Sequence, residues 1–164
     1  MTNLHSALQV LREAGVEFVV IGAVAAAARG SSYSTQDLDI CYERSPKNLA
    51  RLAAALQPHH PRLRGVPGEP PFVLDAKTLA AGMNFTLTTD LGDLDLMGEV
   101  AGAGQYPQVS AGASILDLFG QKCAVASLDV LIQSKRAAGR PKDLLVLPEL
   151  EALRDLERAR RNKR

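Results

Sequence analysis

Residues 17–42 constrain the fold more than any other part of the chain. The run EFVVI at residues 17–21 is a compact block of β-prone, apolar residues and reads as a buried strand. Gly22 breaks it, and the alanine-rich residues 23–29 read as a short helix closed by Gly30. A polar loop over residues 31–36 then leads into DLDICY at residues 37–42, a second strand. Two strands separated by a helix need a sheet with helices packed on it, so the chain begins as an α/β (α+β) protein.

The flanking sequence extends the same scheme. Leu4, Leu8 and Leu11 recur at helical spacing before Gly15, which predicts an amphipathic helix over residues 3–14. Ser45 and Pro46 supply an N-cap and a first-turn proline for a helix through Leu56. Residues 58–71 hold five of the nine prolines and two of the thirteen glycines, so they read as a surface loop rather than an element or a domain linker. Asp75 caps a short helix ending near Gly82, and residues 84–88 and 93–97 form a hairpin about a turn at residues 89–92. A second hairpin is expected from residues 115–118 and 122–126. Ser127 caps a helix over residues 128–138 that Gly139 stops, and Pro141 opens a last helical region that Pro148 is expected to kink or split. No repeat is visible. With 164 residues, one core is affordable, and the reading is a single domain over residues 1–157 with a basic tail at residues 158–164.

Charge narrows the classes of function. Five cations fall in the last seven residues, leaving residues 1–157 with 14 cations against 18 anions, a net −4. An acidic body with a basic tip is not the footprint of a protein that coats nucleic acid along a whole face. Aromatics make up 4% with no Trp, too few for a base-stacking surface. Cys41 and Cys123 both lie in apolar, strand-like segments and read as buried free thiols. The opening MTNLHSAL is unlike a signal peptide, and no apolar run approaches the ~20 residues of a membrane span. The expectation is a soluble, cytoplasmic protein with no membrane partner.

The chemistry concentrates in carboxylates. Asp37 and Asp39 stand at i and i+2 of a strand and project from one face while Leu38 and Ile40 enter the core. Adjacent carboxylates raise one another's pKa unless a cation lies between them, and a divalent ion such as Mg²⁺ suits them while leaving positions for phosphate oxygens. The second strand of the first hairpin repeats the pattern as Asp93-Leu94-Asp95-Leu96. If it neighbours residues 37–42, a third carboxylate completes a two-metal arrangement used for in-line displacement at phosphorus. Asp93 adjoins the turn, so Asp95 is the better ligand.

The order strand, Gly22, helix, Asp37-x-Asp39 and then a lone strand aspartate resembles the DNA polymerase beta type nucleotidyltransferase superfamily. The segment from Leu131 to Asp143 (LIQSKRAAGRPKD) is similar to the end of the small bacterial branch related to AbiEii toxins and the minimal nucleotidyltransferases of toxin–antitoxin pairs. The resemblance spans roughly residues 15–155. It implies a nucleotidyltransferase fold, a small mixed β-sheet flanked by helices with a helical C-terminus. It also implies Mg²⁺- or Mn²⁺-dependent transfer of a nucleoside monophosphate from NTP to a hydroxyl of tRNA, a protein or a small molecule, within a toxin–antitoxin system. Asp37 and Asp39 would hold the metal with Asp95, and Asp95 would help activate the acceptor. Gly22 and Ala23 would approach the triphosphate at a helix N-terminus. Lys135 would meet phosphate charge, with Arg140, Lys142 and Asp143 as weaker candidates. Ser31, Ser32, Ser34 and Thr35 could offer hydroxyls to the nucleotide.

One position departs from the family pattern: Ala23 stands where Gly or Ser is usual, which removes a hydroxyl and some backbone freedom. The alternative is therefore a non-catalytic, nucleotidyltransferase-like binding protein, an antitoxin or regulatory partner. Other constellations are excluded more easily. Gly22 lacks the second and third glycines of a dinucleotide fingerprint, and there is no Walker loop or nucleophile elbow. His59 and His60 are adjacent between prolines, a spacing that suits solvent better than zinc, and His5 reads as a helix-surface residue.

Overall fold

The computed structural model describes residues 2–33, 35–68 and 70–164. Helix α1 (Leu4–Glu13) is capped by the Asn3 side chain, which accepts from the Ser6 N–H. Strand β1 (Phe18–Ile21) leads directly into α2 (Gly22–Ala28), and β2 (Leu38–Tyr42) into α3 (Pro46–Leu56), whose N-cap is Ser45. Strands β4 (Asn84–Thr89) and β5 (Gly92–Met97) form the first hairpin, preceded by α4 (Ala76–Ala81) with Asp75 as its cap. Strands β8 (Ser114–Leu118) and β9 (Gln121–Val125) form another, followed by α6 (Leu128–Ala138).

Three features depart from the sequence reading. The proline-rich residues 58–71 are not merely a loop: a 3₁₀ turn (Gln57–His59) is followed by a short strand β3 (Arg62–Leu63) that pairs with β4. Prolines flanking a two-residue run hid it, because Pro is tolerated beside an edge strand. Between the hairpins lie the short strands β6 (Glu99–Val100) and β7 (Gly104–Gln105) and a one-and-a-half-turn helix α5 (Tyr106–Ala111), all too short to show periodicity. Pro148 does not split the last helix into two elements. Helix α7 (Pro141–Asn162) runs through it, and Arg158, Arg160 and Arg161 of the basic tail belong to that helix, with Arg158 reaching Asp129 at 3.1 Å.

One mixed sheet in the order β3-β4-β5-β2-β1-β9-β8 organises the molecule. Strands β2 and β5 are parallel, as are β1 and β9, and the other pairings are antiparallel. This is the expected small mixed sheet with flanking helices and a helical C-terminus. Alternation sets its two faces. Leu38, Ile40, Leu87, Leu94 and Leu96 point one way into a core shared with Leu8, Leu11, Leu52 and Leu56 of α1 and α3. Their alternates, Asp39, Thr86, Thr88, Asp93 and Asp95, point the other way. A single-residue slip would exchange a leucine face for an aspartate face, so burial of the leucines holds the register.

Both cysteines are buried and free, as expected. Burial pushes the Cys41 thiol up to about 12, so it carries no thiolate chemistry. Among the described residues, no helix is long and apolar enough to cross a membrane.

Candidate active site

The central pair is Asp39 and Asp95. Strands β2 and β5 run parallel with Asp39 opposite Asp95, and on the other side of β2 Asp39 faces Ile21, the last residue of β1. The next residue, Gly22, has φ +69°, and a Cβ built there would run into the Asp39 carboxylate. Glycine is therefore needed twice, for the left-handed turn from β1 into α2 and for the space the carboxylate occupies.

Asp39 is poorly satisfied. Its Oδ1 is buried with no hydrogen-bond partner. Burial, then the neighbouring Asp95 and Asp37, push its carboxyl up to about 7, against a smaller opposing pull from Lys135. A carboxylate kept out of water beside a second one is an unfavourable arrangement by itself, and a cation or proton is what it lacks. Asp95 already has a partner: the Arg64 guanidinium is ion-paired to it, lies 3.7 Å from Asp93, and donates to the Leu87 carbonyl at 3.0 Å.

Asp37 sits just before β2 begins and lines a neighbouring recess with Thr88 and Asp93 rather than the cavity beside Asp39. Among the described residues, no three His, Cys, Asp or Glu side chains are gathered so as to hold a metal ion by themselves. The arrangement is thus an adjacent pair, Asp39 and Asp95, with Asp37 two residues back, just ahead of β2.

A cavity of about 300 Å³ opens between this pair and helices α6 and α7, lined by Gly22, Asp39, Asp95, Lys135 and Arg140 among others. The cations are held by a residue that the sequence reading ranked low. Asp143, wholly buried, accepts from Lys135 Nζ at 3.1 Å and from Arg140 Nε at 2.6 Å. The hydrogen bond from Arg140 comes first among the causes that lower its pKa, to about 2. Gly139 in the left-handed conformation turns the chain between α6 and α7, bringing Arg140 and Asp143 back against Lys135.

The remaining sequence candidates lie elsewhere. Ala23, in the first turn of α2, does not line the cavity, nor do Ser31 and Ser32. Ser32 is committed to α7, its Oγ donating to Glu149 at 2.7 Å. The Ser31 hydroxyl accepts from the Tyr33 N–H, and the Thr35 hydroxyl accepts from the Asp37 N–H at 3.2 Å. Ser34 lies outside the described residues. Lys142 is exposed. Arg64 escaped the sequence reading because its segment looked like loop. The Arg62-x-Arg64 spacing was the available signal, since it puts both on one face once residues 62–63 are a strand.

No protein-family model matches the chain, and no characterised protein matches it by sequence. Solved structures do. A Thermotoga maritima protein described as a candidate nucleotidyltransferase superposes with a TM-score of 0.57 at 17% identity, over 89% of this chain and 88% of that one. ANT(2″)-Ia in complex with adenylyl-2″-tobramycin gives 0.58 at 15% identity, over 96% and 95%. The solution structure of the antibiotic-resistance factor ANT(2″)-Ia gives 0.55 at 15%, over 98% and 91%. At such identities the likeness is one of fold, and the fold of this chain is that of the nucleotidyltransferases.

Proposed function

We propose that the chain is a nucleotidyltransferase that moves a nucleoside monophosphate from an NTP to an acceptor hydroxyl. The observation that carries the reading is the in-register pair Asp39 and Asp95, one of them with an orphaned buried oxygen, beside a cavity whose opposite wall holds Lys135 and Arg140. That cavity pairs an acidic floor with a cationic wall, as a triphosphate and its counter-ion require.

The orphaned Asp39 oxygen suits a divalent cation, so Asp39 and Asp95 would hold Mg²⁺ or Mn²⁺, which would supply positive charge to the phosphates, while Asp37 stands in the adjoining recess. The chain's own groups do the rest. Gly22 keeps the cavity floor free of side chain. Lys135 and Arg140, positioned by Asp143, neutralise the β- and γ-phosphates, which leave as pyrophosphate. The acceptor oxygen forms a bond to the α-phosphorus as the bond from that phosphorus to the bridging oxygen breaks. The hydroxyl proton passes to the Asp95 carboxylate, which first exchanges its contact with Arg64 for the acceptor. Membership of a toxin–antitoxin pair, as toxin or antitoxin, rests on the sequence resemblance alone. The non-catalytic alternative accounts less well for Asp39, because a binding protein gains nothing from a buried carboxylate without a partner.

The test is transfer of α-labelled NTP with Mg²⁺ or Mn²⁺ to host tRNA and lysate proteins, comparing wild type with Asp37→Asn combined with Asp39→Asn. Label on an acceptor that falls at least ~10³-fold in the double variant is expected. Label that persists in the double variant, or none with any NTP and either metal, would overturn the proposal.

A further inference from the structure

Three pairs of side chains at i and i+2, with Asp39 beyond them, share one face of the sheet. Arg62 on β3 is opposite Thr88 on β4, which is opposite Asp93 on β5. One step along, the Arg64 N–H donates to the Thr86 carbonyl at 2.9 Å, and Thr86 is opposite Asp95, which is opposite Asp39. The face therefore runs from two guanidinium groups at the edge strand, across two threonines, to the acidic centre. The cavity between Asp39 and Lys135 lies on one side of that centre. On the other, against the edge strand, is a second cavity of about 350 Å³ lined by Arg62, Arg64, Val66, Phe72 and Thr88. Among the described residues Arg62 is exposed and makes no ion pair.

We propose that this second cavity is the acceptor subsite, and that the acceptor is an anion whose phosphate is held by Arg62 and Arg64 beside the hydroxyl that receives the nucleotide. This rests on the nucleotidyl-transfer reading and deepens it. With the triphosphate assigned to the Lys135 side, the acceptor must approach Asp95 from elsewhere, and the edge cavity adjoins Asp95 through Arg64, which lines that cavity and is ion-paired to Asp95. The charges there select the ligand. Two arginines two residues apart, one on β3 and one just past its end, offer forked donors suited to phosphate oxygens, whereas a polyamine would meet two like charges. An anion at the edge also gives Arg64 an alternative partner to Asp95, and a released Asp95 is free to take the acceptor's proton. The bonds made and broken are those of the transfer already described, and neither arginine gains or loses a proton.

The experiment is calorimetric titration of the full chain with Mg²⁺ and a non-hydrolysable NTP present, using four probes: ribose 5-phosphate, a short oligoribonucleotide, ribose and tobramycin. The phosphate-bearing probes are expected to bind. Arg62→Glu should weaken them about tenfold or more, and Arg62→Lys, which keeps the charge and loses the fork, should weaken them less than Arg62→Glu does. Lys47→Glu, the same charge change at an exposed position on α3, should leave them unmoved. Tighter binding of the oligoribonucleotide assigns a nucleic-acid terminus as acceptor, and tighter binding of ribose 5-phosphate assigns a small phosphorylated one. Ribose or tobramycin binding as well as the phosphate probes, or equal effects of Arg62→Glu and Lys47→Glu, would overturn the proposal. Titrating the NTP alone separates the two readings. If it binds and no phosphate probe does, only the acceptor assignment falls, and if it does not bind, both fall together.

Discussion

Asp39 and Asp143 are the same residue in opposite circumstances. Both carboxyl groups are withdrawn from water, yet one is pushed up to about 7 and the other held down at about 2. Asp143 is met by Lys135 and Arg140, which satisfy both its oxygens. Asp39 is met by Asp95 and Asp37 and keeps one oxygen unpaired. The difference separates a carboxylate that belongs to the architecture from one left without a counter-charge. A buried charge with its counter-charges in place anchors the fold, and one without them is tolerated where something else is to be bound.

Breaking the satisfied side should have the larger effect on stability. Asp143→Asn leaves two cations without their carboxylate and should cost about 3 kcal/mol, lowering Tm by about 6–12 °C. The sign with pH follows from the depressed pKa. Between about 2 and the ordinary carboxylate range the unfolded chain binds more protons. The contribution of Asp143 is therefore full above that range and is lost as pH falls toward about 2. Thermal melts of wild type and variant should converge at low pH, and a gap that stays constant down to pH 2 would contradict the assignment.

Lys135 links the two carboxylates, since it pairs with Asp143 and also lowers the pKa of Asp39. Lys135→Met leaves Asp143 with Arg140, so the fold should lose only on the order of 1 kcal/mol while NTP affinity falls about tenfold. Titration of nucleotide against both proteins checks this, and unchanged affinity would place Lys135 with the architecture instead.

The smallest effect comes from the unsatisfied side and has the opposite sign. Because Asp39 is raised, the folded chain binds the extra proton between the ordinary carboxylate range and about 7. Metal-free protein should therefore lose stability as pH rises through that window. Asp39→Asn should remove this slope and gain on the order of 1 kcal/mol at pH 8, while the proposed transfer should be lost. Denaturant midpoints from pH 5 to 8 in chelator measure it, and parallel curves for the two proteins would show that Asp39 is not strained.

Local pattern carried much of this in advance. The helices α3, α4 and α6 begin where Ser45, Asp75 and Ser127 cap them, because a cap acts on backbone groups three residues away. The alternation of Asp37-Leu38-Asp39 and Asp93-Leu94-Asp95 committed the leucines inward and the aspartates outward before any strand was paired. Which strands were neighbours was beyond it. The parallel pairing of β2 with β5 places Asp95 opposite Asp39, and the choice of Asp95 over Asp93 depends on that contact between segments more than fifty positions apart. The same holds for Arg64, whose role exists because β3 joins the sheet edge, and for Asp143, which the sequence offered only as a weaker site candidate and which pairs with Lys135 because α7 folds back on α6. Residue type and spacing determine which face a side chain takes, since these are properties of a few adjacent peptides. Whether a charge meets an opposite charge, a like charge or nothing is decided by distant segments coming together, and here that decision separates Asp39 from Asp143.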